Sequence, residues 1–140
     1  MRSRQSECSS ELEPDYQPHE IQERTFRFAV RVMRLVNSIP RSVAGQTIAR
    51  QLARAGASVG ANVEEAQGAH SKADFGRRMS IARAEARECL YWLRLVRELK
   101  LVSTTRMTEI VQEADEIVRV LVAIVRNVRR RCGAGDIRNS

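Results

Sequence analysis

Polar residues interrupt the apolar pattern of two successive predicted helices between Ser58 and Leu93. At 100° per residue, one flank of the first helix carries Ser58, Asn62 and Glu65, and the corresponding flank of the second carries Asp74, Glu85, Glu88 and Trp92. Buried amides and carboxylates lower stability unless each polar atom has a partner. Side chains of these types at this spacing therefore either fix how the two helices face each other or form a site.

Three arrangements fit these side chains. The first is a satisfied polar layer that sets helix register, in which the Asn62 amide or the Trp92 indole N–H donates to a carboxylate; its members are Ser58, Asn62, Glu65, Glu85, Glu88 and Trp92. The others are an anion-excluding pocket and a divalent-cation site. A carboxylate-bridged di-iron centre needs inward Glu-x-x-His pairs, whereas His19 and His70 lie in the N-terminal segment and at a turn. We predict no metal and no cofactor.

Arginines recur at helical spacing on three segments of the chain. The predicted nucleic-acid-binding set is Arg24, Arg27, Arg31 and Arg34, then Arg83, Arg87 and Arg94, then Arg126, Arg129, Arg130 and the adjoining Arg131. Such stripes are either solvated faces or surfaces that neutralise phosphates, and no base-reading motif accompanies them. The alternative is that the arginines dock an acidic protein partner. In the free molecule, the acidic N-terminal segment would then shield the arginines.

Catalytic chemistry is poorly supported. The sequence has no Ser/His/Asp or Cys/His arrangement that these helices could assemble, and no glycine-rich phosphate loop. Cys89 falls on a predicted core face, and Cys132 stands beside Arg131 near the end of the last helix. The three cysteines lack CxxC spacing, which argues against a zinc site or a disulfide framework. We expect a protein that is not an enzyme.

The elements that must position these residues are four predicted helices. They run from Ile21 to Ser38, from after Ser42 to Gln67, from a cap at Ser71 or Asp74 to Lys100, and from a cap at Ser103 or Thr104 to Arg131. Short connections make neighbours antiparallel, so the predicted fold is an all-α, up-down-up-down four-helix bundle. Residues 1–20 read as a disordered acidic tail, 21–132 as the bundle and 133–140 as a flexible C-terminal tail.

Apolar periodicity predicts which helix faces form the core and shows more apolar surface than one core needs. The second helix has a core face from Ile48 to Ala66 and, beside it, a small-residue stripe that lets another helix approach: Ala49, Ala53, Gly56 and Gly60. The third helix has a core face from Phe75 to Val96. The first helix has two apolar faces, one with Phe26, Ala29, Val30 and Met33 and another with Phe28, Val32, Leu35 and Ile39. We predict a homo-oligomer whose interface comprises Phe28, Val32, Leu35, Val118, Val122 and Val125.

Composition and charge narrow the functional classes. The chain has 140 residues, room for one domain, with 4% aromatic residues and a net charge of +7. Residues 1–23 hold two arginines and six acidic residues, a net charge of −4, so the remainder carries +11 and attracts polyanions. No stretch approaches the ~20 apolar residues of a membrane span, and the N-terminus lacks the apolar core of a signal peptide. We expect a cytoplasmic protein that does not contact membranes.

Three stretches of the sequence resemble a known family. They are Phe26-x-x-Ala29-Val30 with Pro40, the segment Gln51–Ala66 (QLARAGASVGANVEEA), and Ser71–Phe75 followed by Ile81–Leu93 (IARAEARECLYWL). On these residues, from about Phe26 to Val128, the chain resembles the bacterial four helix bundle proteins, also called the 23S ribosomal RNA intervening-sequence protein family. It is most similar to the subgroup with Glu-Glu-Ala and Tyr-Trp-Leu.

The resemblance implies architecture more than activity. It implies an antiparallel four-helix bundle that assembles as a homo-oligomeric ring, with a pentamer favoured. Some members are encoded inside inserts of ribosomal RNA genes, which suggests RNA binding, and the accessory protein of diversity-generating retroelements, a basic pentamer that works with nucleic acid, is similar to the family. Fold similarity alone does not assign function. RNA, DNA and an acidic protein therefore all remain candidate partners.

Overall fold

The computed structural model describes the backbone of residues 18–136 and the side chains of residues 19–131. They form four helices, which are α1 (Pro18–Val36), α2 (Val43–Gln67), α3 (Lys72–Glu98) and α4 (Thr104–Asp136). This part of the chain contains no strand, which confirms the all-α prediction. None of the four helices is long and apolar enough to cross a bilayer.

α1 and α4 extend into residues that the sequence assigned to the two tails. α1 begins at Pro18 rather than at residue 21, since a proline suits the first turn of a helix, where its missing N–H has no partner to lose. α4 continues through Gly133 and Gly135 to Asp136, so it ends later than predicted. Residues 1–17 and 137–140, which make up the rest of both predicted tails, lie outside the described residues.

Local hydrogen bonds explain where α2 and α3 begin and where α3 ends. The hydroxyls of Ser42 and Ser71 each accept a hydrogen bond of 3.0 Å from a backbone N–H three residues later, as predicted for Ser42 and for one of the two candidate caps of α3. At the end of α3, Lys100 has a φ of 55° and the N–H of Leu101 donates to the carbonyl of Val96 at 3.1 Å. This pairing is a Schellman motif, which stops the helix.

The helices pack as the predicted up-down-up-down antiparallel bundle. α2 lies between α1 and α3, α3 packs on α4, and α1 contacts α4 at few positions. The direction of α4 relative to α1 follows from two bonds: Arg106 near the start of α4 donates to Ser38 just after α1 at 2.9 Å, and Glu113 further along α4 pairs with Arg24 near the start of α1. The core faces predicted for α2 and α3 are buried from Ile48 to Ala66 and from Met79 to Val96.

The two apolar faces of α1 are the reverse of the prediction. Phe28, Val32 and Leu35 are buried in the single chain, with 1%, 0% and 2% of their surface exposed, so they cannot form the predicted interface between subunits. Instead, Phe26 and Met33 point outward, with 62% and 41% exposed. On α4 the predicted interface residues are also core: Val118 and Val125 are buried and Val122 is half-buried against the core.

The small-residue stripe of α2 explains this orientation of α1. A Cβ on Gly56 would lie 2.7 Å from Cγ1 of Val32, and one on Gly60 would lie 3.4 Å from the carbonyl oxygen of Thr25. α1 therefore lies close along the stripe with Val32 facing it, and it turns the Phe28 face inward. Thr25, buried at this contact, is satisfied by donating to the Ile21 carbonyl at 2.8 Å.

Candidate functional site

An arginine, rather than an asparagine, links the polar flanks of α2 and α3. Arg54 on α2 donates from Nη1 to Glu85 at 3.2 Å and from Nη2 to Glu88 at 2.5 Å. The Trp92 indole N–H donates to the same Glu88 carboxylate at 3.2 Å. The α3 half of the predicted polar layer thus comes together around Glu88, with a guanidinium as its partner from the other helix.

The α2 half of the predicted layer does not join it. Asn62 donates back to the Ser58 carbonyl of its own helix at 2.8 Å instead of reaching a carboxylate, and Glu65 is exposed. A short polar side chain in a helix readily bonds the carbonyl four residues earlier, so the amide is satisfied locally. The sequence pattern did not single out Arg54. It lies four residues before Ser58 and eleven before Glu65, on the same flank of α2. Its side chain is long enough to span the two helices.

The electrostatics of this link favour ion pairing. The hydrogen bond from Arg54, followed by that from Trp92, lowers the pKa of Glu88 below its usual range. Arg54 in turn has a raised pKa, chiefly because Glu88 accepts its hydrogen bond. Among the described residues no cluster of three or more His, Cys, Asp or Glu side chains is arranged to hold a metal ion. The geometry supports a positioning role for this layer.

The arginine stripe on α1 is partly engaged in ion pairs. Arg24 donates to Glu113 at 2.8 Å and to Glu116 at 2.6 Å, both on α4, and its raised pKa follows first from the bond to Glu113. Arg27 pairs with Glu23 at 3.0 Å. Arg31 is half-buried and Arg34 is exposed. Arg24 is therefore part of the joint between α1 and α4, and within residues 19–131 no carboxylate forms an ion pair with Arg31 or Arg34.

The strongest concentration of positive charge lies where α3 begins and α4 ends. A Cβ on Gly76 of α3 would be 3.1 Å from Cγ1 of Val128 on α4, which places residues 72–84 beside residues 124–131. We call these two segments the basic end. Its cations are Lys72, Arg77, Arg78, Arg83, Arg126, Arg129, Arg130 and Arg131, and Asp74 is the only acidic residue in either segment.

The basic end contains both arginines that were predicted to bind nucleic acid and cationic residues that were not. Arg126, Arg129 and Arg130 are exposed and have no ion pair with a carboxylate of residues 19–131. Lys72 and Arg77 were not predicted, because only the antiparallel packing of α3 on α4 brings them to the predicted cluster. Their one sequence signal is the near absence of acidic residues in both segments. The remaining predicted arginines of α3, Arg87 and Arg94, are exposed further along that helix.

Cys89 has no reactive surroundings. Its side chain is fully buried in the core, and burial raises the pKa of its thiol to about 12. A thiol of that pKa is almost entirely protonated at neutral pH and is a poor nucleophile. The side chain of Cys132 lies outside the described residues.

Comparison with known proteins identifies the family. The family model described as 23S rRNA-intervening sequence protein matches residues 17–123, which include α1, α2, α3 and more than half of α4. The chain belongs to the 23S rRNA-intervening sequence protein family. This confirms the resemblance seen in the sequence. The match ends at residue 123, before Arg126, Arg129 and Arg130. The α4 half of the basic end therefore lies outside the segment that the family model covers.

A solved structure shows the same architecture. This member of the 23S rRNA-intervening sequence protein family is similar to a crystal structure of a protein of unknown function, from the S23 ribosomal protein family, of Bacteroides thetaiotaomicron. The two chains are 30% identical, the similarity covers 78% of this chain and 97% of the other, and the TM-score is 0.70. No curated protein matches the chain.

Proposed function

We propose that this protein is a nucleic-acid-binding module, not an enzyme, that contacts phosphates without reading sequence. The basic end supports the proposal: eight cationic residues from two helices adjoin a single aspartate, and Arg77 already neutralises that aspartate at 2.7 Å. The uncompensated charge has the sign and the guanidinium chemistry that phosphodiester oxygens require. The family description names an rRNA intervening sequence, which makes structured RNA the first ligand to test.

The geometry favours backbone contacts over stacking on bases. Trp92 is held by Glu88 and packs edge-on against Tyr91, with ring centroids 5.2 Å apart. These rings lie seven and eight residues beyond the α3 segment of the basic end, or about 10 to 12 Å along α3. An aromatic platform interleaved with arginines, as single-strand binders use, is not formed by these two residues. The proposed ligand is therefore a folded RNA or a duplex.

Titration against salt tests the proposal. Fluorescence anisotropy with a labelled RNA hairpin and a duplex DNA should give an affinity that falls steeply with salt, because each neutralised phosphate releases a counterion. Replacing both Arg129 and Arg130 with glutamine should weaken binding and reduce the slope of log affinity against log salt by about 2. Arg24→Gln with Arg54→Gln removes the same charge from ion-paired positions and should leave the slope nearly unchanged.

Two results would contradict the proposal. The first is no binding of either nucleic acid at low salt. The second is equal weakening by the two double variants, because the effect would then come from net charge and not from the basic end.

The exposed apolar residues favour a second function, docking of an acidic protein partner. Val43, Tyr91 and Leu99 are exposed apolar residues away from the outward face of α1, and nucleic-acid backbones offer no apolar surface for them. In this alternative the arginines steer an acidic partner to the bundle. Capture of a protein that resists nuclease treatment, together with failure of the salt titration, would favour it.

We also propose that the chain forms a homo-oligomer through the outward face of α1. Phe26 and Met33 are seven residues apart, and the half-buried Ala29 and Val30 lie between them on the same side. The resemblance described above makes a pentameric ring the favoured assembly. A ring presents one basic end per subunit, so a single nucleic acid contacting several of them would bind with higher avidity.

A further inference from the structure

A shallow groove runs between α3 and α4 within the basic end. Four cationic side chains line it, Lys72, Arg77 and Arg83 from α3 and Arg129 from α4. Its remaining lining is apolar or small, including Gly76 and Val128, where the two helices pack against each other. Cations from two different helices therefore surround one concave surface.

Two nitrogen atoms at this groove are buried and have no hydrogen-bond partner among the residues whose side chains the structure describes. They are Nζ of Lys72 and Nε of Arg83. Arg83 makes one bond of 3.4 Å from Nη2 to the Ser80 hydroxyl, which leaves Nε unused. An ammonium or guanidinium nitrogen removed from water without an acceptor lowers stability, so such a group ordinarily pairs with an anion.

No carboxylate near this groove is free to supply that anion. Asp74 is the only acidic residue in residues 72–84, and Arg77 donates to it at 2.7 Å. The same bond lowers the pKa of Asp74, so its negative charge is already compensated. The described carboxylates therefore leave Lys72 Nζ and Arg83 Nε without an acceptor, and an external anion would complete them.

We propose that this groove binds phosphate, with one group held at Lys72 and another at Arg83, eleven residues or about 16 Å further along α3, and with Arg129 of α4 adding positive charge. A phosphate has several strong acceptor oxygens, which suit ammonium and guanidinium donors. The choice of a backbone phosphodiester as its natural source rests on the proposed function, whereas free inorganic phosphate is the other source of the same chemistry. A nucleic acid bound to the basic end would then contact the protein most closely in the groove, and the exposed arginines lie around the groove.

Thermal unfolding with inorganic phosphate, at ionic strength held constant with sodium chloride, tests the site. Phosphate should raise the Tm of the wild-type protein, because a ligand that binds only the folded state stabilises it. The double variant Lys72→Gln and Arg83→Gln should lose this response. In phosphate-free buffer it should unfold at the same or a higher temperature than wild type, since it no longer buries unpaired charge. The control variant Arg24→Gln with Arg54→Gln should keep the phosphate response.

The RNA hairpin titration separates this proposal from the proposed function. Weaker hairpin binding by the Lys72/Arg83 variant than by the control supports a phosphodiester in the groove. Where wild type binds the hairpin, equal hairpin binding by the two variants, or a phosphate response that persists without Lys72 and Arg83, overturns the groove site and leaves the proposed function standing. If wild type ignores the hairpin but responds to phosphate through these two residues, the site takes free phosphate and the nucleic-acid function fails.

Discussion

At the residue scale, the polar link between α2 and α3 depends on one long side chain. Glu85, Glu88 and Trp92 were assigned to this layer from the sequence, and the structure brings them together at Arg54. The helical wheel gives the flank on which a residue lies but not whether its side chain turns back to its own helix, as Asn62 does. The two carboxylates of α3 were therefore predictable as members of the layer, whereas Glu65 of α2 was wrongly included and the partner Arg54 was missed.

Glu88 should make stability depend on pH in the acid range. Its folded-state pKa is lowered from 4.5, so the stability it contributes is present above about pH 4.5 and is lost as pH falls through the lower, folded-state value. Glu88→Gln should therefore reduce the free energy of unfolding by a constant amount at neutral pH, and the difference from wild type should shrink below about pH 4.5. Urea unfolding over a pH series measures this.

The matched control for that series is Glu65→Gln. Glu65 was predicted to belong to the same layer, but it is exposed and forms no ion pair with residues 19–131. Its substitution should change stability little at any pH. A pH dependence in the Glu65 variant equal to that of the Glu88 variant would show that overall charge, and not the Arg54 bond, sets the acid response.

At the element scale, the joint between α1 and α2 depends on two glycines in different surroundings. Both lie inside α2, where alanine is favoured over glycine by about 1 kcal/mol. Gly60→Ala places its Cβ at ordinary contact distance from Thr25 and should stabilise the protein by up to about 1 kcal/mol. Gly56→Ala places its Cβ 2.7 Å from Val32 Cγ1, and overpacking should destabilise it by about 1–3 kcal/mol. Equal effects in chemical denaturation would refute this difference.

The same joint explains which parts of the elements the sequence could predict. The core faces of α2 and α3 were predictable because each helix has one apolar arc. α1 has two arcs, and periodicity alone cannot say which of them faces inward. The small-residue stripe was recognised as a close contact, but only the structure shows that Val32 occupies it and that Phe26 is thereby left outside.

At the scale of the whole molecule, the proposed assembly predicts a mass in solution above 15.9 kDa. Light scattering should give a multiple of that value, and Phe26→Glu with Met33→Glu should reduce it, because charged side chains oppose burial of the α1 face. Val43→Glu with Leu99→Glu is the control, since both are exposed apolar residues at other places on the bundle. A wild-type monomer, or dissociation of the control alone, would reject an interface on α1.

Among the four described helices, unequal lengths leave the final turns of α4 without α1 beside them. At 1.5 Å per residue, α1 is about 28 Å long and α4 about 50 Å. With Ser38 beside Arg106 at one end, the antiparallel α1 begins at the level of about residue 126, so roughly ten residues of α4 project past it. This projecting end of α4 can be reached by a bulky or curved ligand from a side where no backbone of residues 18–136 stands in the way.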